Sequence, residues 1–134
     1  MHSKPVLNHA DATRILAASV AEADRNHWAV SIAVVDDGGH LLAFLRTDGA
    51  APISAPIAIE KARTSALGRR ESKLYEDVVN GGRTAFLSAP VVTSLEGGVP
   101  VIAEGQVVGA VGVSGVKPDQ DAQIAKAGAA SIDG

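Results

Sequence analysis

Polar and apolar positions alternate along this chain in two distinct rhythms. Ala12, Ile15, Leu16, Ser19, Val20, Ala23 and His27 fall close to a 3.6-residue repeat. That spacing predicts an amphipathic helix that starts after Asn8 or Asp11 as N-cap and ends near Asn26. From Val30 to Val35 the rhythm changes to a short run that is apolar on both faces, as in an interior strand. Asp36-Asp37-Gly38-Gly39 then supplies the positive φ that a tight hairpin needs, so His40 to Arg46 should return antiparallel. In that return strand His40, Leu42, Phe44 and Arg46 share one face, and Leu41, Ala43 and Leu45 share the other.

After the loop Thr47 to Pro52, Ser54 reads as the N-cap of an Ala-rich helix ending near Arg69, with Pro56 tolerated in its first turn. A short helix over Ser72 to Asn80 stops at Gly81-Gly82. Three further strands are expected at Pro90–Leu95, Val99–Glu104 and Gln106–Ser114, the last two joined by Glu104-Gly105-Gln106. An Ala-rich helix from Asp119 to Ser131 closes the chain. The prediction is therefore an α/β (α+β) domain in three layers, α/β/α, around a five-stranded antiparallel sheet. In the final strand Val107, Val111 and Val113 should face one side, while Ala110, Gly112 and Ser114 leave the other side thin. That thin face suits either a helix backbone packed against it or a flat ligand.

With 134 residues the chain fits one domain, and no linker or fixed-period repeat divides it. Hydrophobic residues are 46% of the sequence and aromatics 3%, so the core must be built from Val, Ile, Leu and Ala. A net charge of −3 with scattered Lys and Arg gives no footprint for nucleic acid. The absence of cysteine excludes disulfides, thiolate nucleophiles and Cys-ligated metal centres. No apolar run reaches the roughly 18 residues that span a bilayer, and the first residues lack the pattern of a secretory signal, so a cytoplasmic location is expected.

The stretch Ala29 to Arg63 and its echo, Gly97 to Gly115, resemble the family of GlcG, the haem-binding protein HbpS and the C-terminal domain of PduO. The resemblance spans nearly the whole chain. It implies a profilin-like domain, a homo-oligomer, a small-molecule ligand and haem as a specific candidate cofactor. Without haem, no cofactor is expected. Some members of that family look exported.

Candidate chemistry concentrates around the first hairpin. Arg46 ends a strand, Asp48 lies in the next loop, and the helix starting near Ser54 should point its free amides toward the same corner, which would suit a carboxylate. Lys61 is a second candidate anion stabiliser, and Glu60, like Asp48, a candidate base. Adjacent helical residues point about 100° apart, so Glu60 and Lys61 should not both face one small site. Arg46–Asp48 and Glu60–Arg63 surface pairing is the plain structural alternative. Gly97 and Gly98 would let a ligand approach backbone amides, or they simply turn the chain into a strand. The histidines His2, His9, His27 and His40 form no zinc-type pair, so no metal is expected within one chain apart from the haem iron that the resemblance implies. His9 and His40 are candidate axial ligands, whereas His27 reads as the end of the first helix.

Two functions follow. The first, which the resemblance implies, is an oligomeric small-ligand-binding domain with haem or another tetrapyrrole as the candidate ligand. The alternative is a cofactor-independent isomerase, hydrolase or lyase acting on a small carboxylate-bearing metabolite. A module that only assembles is a third reading. Gly109, Gly112 and Gly115 are not a dinucleotide fingerprint, because no helix opens there, and Ser114 lacks the glycine that a nucleophile elbow requires.

Overall fold

A computed structural model describes residues 1–132. The elements run α1 (His9–Arg25), β1 (Ser31–Asp36), β2 (Leu41–Arg46), α2 (Ser54–Gly68), α3 (Lys73–Asn80), a 3-10 turn (Thr84–Ser88), β3 (Gly98–Ala103), β4 (Gln106–Ser114) and α4 (Pro118–Ala129). The sheet has four antiparallel strands in the order β2-β1-β4-β3. α1 and α4 cover one face and α2 the other, so three layers are present around four strands rather than five.

The missing fifth strand has a local cause. Between Pro90 and Leu95 the backbone groups are taken by side chains instead of a ladder: Thr93 N–H donates to Thr64 Oγ1, and Leu95 O accepts from Ser72 Oγ. Val91 has φ 54°, a left-handed conformation that a β-branched residue rarely adopts and that breaks any extended run. Apolar composition alone suggested a strand; the neighbouring hydroxyls decide otherwise.

α1 starts at a capping box, with Asn8 Oδ1 accepting from Asp11 N–H and Asp11 Oδ2 accepting from Asn8 N–H. Ser54 does not cap α2. It is the first helical residue, and its hydroxyl donates to Ala51 O at 2.6 Å and meets Ser31 Oγ at 2.8 Å, tying the helix to β1.

The two faces of the sheet are built differently. Val30, Ile32, Val34, Val108, Val111 and Val113 form the larger core with Ile15 and Ile124 of the covering helices. Val108 replaces the expected Val107 because β4 carries one extra residue, Val108, opposite the step from Val101 to Ile102 of β3, which shifts the register. On the other face Ala58, Ala62 and Ala66 place one side of α2 against Ala33, Val35 and Ala110. A Cβ at Gly112 would collide with Ala58 O, and one at Gly98 with Lys61 O. The thin side of β4 is therefore filled by the helix backbone.

Candidate functional site

α1 ends in a Schellman motif: Trp28 N–H donates to Ala23 O and His27 N–H to Asp24 O. The motif requires a left-handed residue after the C-cap Asn26, and His27 takes that place at φ 57°. Glycine is the usual occupant, since a side chain in this conformation crowds the following carbonyl. Here the strain holds an exposed imidazole at the helix terminus, and Trp28 follows, half-buried against the core.

From Trp28 the chain turns directly into β1, and Thr47, just beyond β2, closes the same corner. Thr47 N–H donates to Val30 O at 2.9 Å, while its hydroxyl accepts from Val30 N–H at 2.9 Å. These bonds fix the Arg46–Asp48 segment relative to the end of α1. Between them lies a cleft of about 500 Å³. Val20, Ala23, Trp28, Ala29 and Leu45 give it an apolar wall, and Asp24, His27, Arg46, Thr47 and Asp48 give it polar groups. An apolar hollow with a few convergent polar groups is the usual form of a small-molecule site.

The expected site residues do not converge on one place. Arg46 and Asp48 line this cleft. Glu60 and Lys61 stand on α2, across the sheet from α1, so they do not join Arg46 and Asp48. The Glu60 carboxylate pairs with Arg63 at 3.1 Å, the surface arrangement weighed from sequence. Lys61 is only 4% exposed, and its Nζ donates to Val113 O at 2.9 Å and to Asp121 Oδ2 at 3.1 Å. Asp121 Oδ1 accepts from Val116 N–H. Burial pushes the Asp121 carboxyl above its ordinary value, with the Lys61 charge opposing that rise. Lys61 thus pins α2 to β4 and to the start of α4.

Gly97 and Gly98 are buried around this ion pair. A Cβ on Gly97 would sit 2.8 Å from Lys61 Nζ, and Gly98 N–H donates to Ser72 Oγ at 2.8 Å. Their lack of side chains makes room for the lysine. His9 is the exposed first residue of α1, and His40 lies exposed just before β2, its N–H held by Asp36 Oδ1. Neither lines the cleft. Among the described residues no three His, Asp or Glu side chains cluster as a metal site, and no helix is long and apolar enough to cross a membrane.

His27, Trp28 and Asp24 were not among the sequence-derived candidates. The available signal was Asn-His-Trp at a helix end where glycine would be expected, and it identifies His27 only once the left-handed geometry is known.

A model of the family described as haem degrading protein HbpS-like matches residues 7–130. Protein GlcG of Escherichia coli K12 is 62% identical over 114 residues, covering 85% of each chain. The crystal structure of a double mutant of Streptomyces reticuli HbpS is 34% identical, covers 100% of this chain and 92% of that one, and superposes with a TM-score of 0.89. The crystal structure of a PduOC complex with haem is 27% identical, covers 96% of each chain and has a TM-score of 0.85.

Proposed function

The chain belongs to the HbpS-like family of haem degrading proteins, and from that premise we propose that it binds haem or a closely related tetrapyrrole in the cleft between α1 and the end of β2. The observation that carries this reading is His27. An imidazole occupies a backbone position that glycine would fill with less strain, and it lines a cleft walled by Trp28. Strain kept at a concave site supports a functional role for the side chain that causes it.

The donor set fits the group. His27 offers a nitrogen ligand for iron, Trp28, Leu45 and Val20 offer apolar contact for a macrocycle, and Arg46 offers a cation for a propionate. Asp24 and Asp48 repel propionates, so they favour the orientation in which the carboxylates point toward Arg46. When bound, haem supplies a redox-active iron centre. The chain's own residues bind it, orient it and keep water from one of its faces.

The acid/base reading keeps only Arg46 and Asp48 in one place, because Glu60 is engaged with Arg63 and Lys61 is buried away from them. No observation favours it over the tetrapyrrole reading. The test is a hemin titration followed through the Soret region. The wild type should saturate at a fixed stoichiometry, and His27→Ala should shift or abolish the band while His9→Ala leaves it in place. A band unaffected by His27→Ala would remove the proposed ligand.

A further inference from the structure

The charges around the cleft are unequal. Asp24 and Asp48 give it two carboxylates, Arg46 one cation, and His27 an imidazole that is uncharged when it ligates a metal. Among the described residues none of Asp24, Arg46 and Asp48 is held in an ion pair, whereas Arg25, in the last turn of α1, is held by Glu22. The carbonyl end of α1, a helix of 17 residues, opens on the same cleft through Asp24 and His27, and the dipole of a helix adds partial negative charge there. Both acidic side chains and the helix end therefore act in one direction, and Arg46 alone opposes them.

Haem has two states that differ in charge. The pyrrole nitrogens together carry two negative charges, so a ferric centre is cationic and a ferrous centre neutral, while the propionates are the same in both. Arg46 would be matched by a propionate. The charge that tells the two states apart is then that of the two carboxylates and the helix end.

We propose that this cleft selects ferric haem over ferrous haem by charge, with Asp24 and Asp48 as the selecting residues. The inference rests on the tetrapyrrole reading and adds to it the oxidation state that is held. At an effective dielectric between those of a protein surface and bulk water, a unit charge about 8–10 Å away changes such a preference roughly three- to sixfold. Preference and potential are linked. A protein that holds the ferric form more tightly lowers the reduction potential of the bound haem, and a three- to sixfold change is about 30–45 mV for a one-electron couple.

The test loads the wild type, Asp24→Asn, Asp48→Asn and the double variant with hemin and measures the midpoint potential by optical spectroelectrochemistry, the electrode supplying the electron that converts ferric to ferrous. Each single variant should raise the midpoint by about 30–45 mV, and the double variant by about the sum of the two. Titrations with hemin in air and with dithionite-reduced haem under argon should show the same three- to sixfold loss of ferric preference for each single change. The ferric Soret maximum should stay in place, because His27 is untouched. Asp37→Asn, in the turn at the far end of the β1–β2 hairpin, should leave the potential as it is. Both cleft carboxylates are exposed, so raising the salt concentration should shrink the differences. Unchanged potentials in cleft variants whose Soret bands match the wild type would overturn the charge selection and leave the tetrapyrrole reading standing. A displaced Soret band in those variants would trace the change to ligation and overturn it as well. A wild type with no saturable Soret band in either oxidation state would overturn both readings.

Discussion

Replacing Lys61 by Met removes one charge from a buried pair and leaves Asp121 with a single donor, Val116 N–H. Both side chains are about 95% buried (5% and 4% exposed), so water cannot stand in for the lost partner. Breaking such a pair from one side typically costs about 3–5 kcal/mol, a large share of the 5–15 kcal/mol that keeps a domain folded. Asp121→Asn should cost a similar amount, because it strands the ammonium beside Val113 O. The double variant Lys61→Met, Asp121→Asn leaves no buried charge and should lie within about 2 kcal/mol of wild type, giving a coupling energy of several kcal/mol. Urea unfolding of the four proteins measures the cycle. A double variant as unstable as the sum of its singles would refute the reasoning, since the two groups would then act independently. The raised pKa of Asp121 agrees with a small net gain from the pair. Where the folded pKa lies above the unfolded one, the ionised carboxylate disfavours folding, and stability from this group rises as pH falls through the folded value.

Other consequences are simpler to test. Asp37 has its carboxyl lowered from 3.8, chiefly by the hydrogen bond from Lys4, so its stabilisation is present above about pH 4 and is lost as pH falls through the lower folded value. The pair is on the surface, so Asp37→Asn should remove less than about 1 kcal/mol at neutral pH and flatten the acid side of the stability profile. Gly112→Ala should destabilise by about 1–3 kcal/mol or fail to fold, because its methyl meets the backbone of α2, and thermal melts will show whether that contact is as tight as described. Ser19→Ala removes the hydroxyl donated to Ile124 O at 2.8 Å and should cost about 1 kcal/mol in the same assay.

Much of the architecture was legible because each element carried its own signal. Asn8 was one of two N-cap candidates for α1, the Asp-Asp-Gly-Gly turn indicated the first hairpin, and Ala110, Gly112 and Ser114 marked a thin side of β4 that α2 fills at Gly112. Pro90–Leu95 misled because its apolar residues resemble a strand, while the hydroxyls that claim its backbone lie far away in sequence, on Thr64 and Ser72. Long-range partners also explain the site. Lys61 looked available on its helix, and only the fold brings Asp121, sixty positions later, against it. Arg46 and Asp48 were legible as neighbours because they sit at the end of β2 and in the loop after it, whereas the placement of His27 beside them depends on how the end of α1 packs over that loop.

The most direct test of the proposed tetrapyrrole site is a hemin titration of His27→Gly beside the wild type. Glycine accepts the left-handed conformation without strain, so this variant should keep its fold and unfold at or near the wild-type urea midpoint. The account predicts that it nevertheless loses the saturable Soret band of the wild type. A fully folded His27→Gly protein that binds hemin with an unchanged spectrum would contradict it.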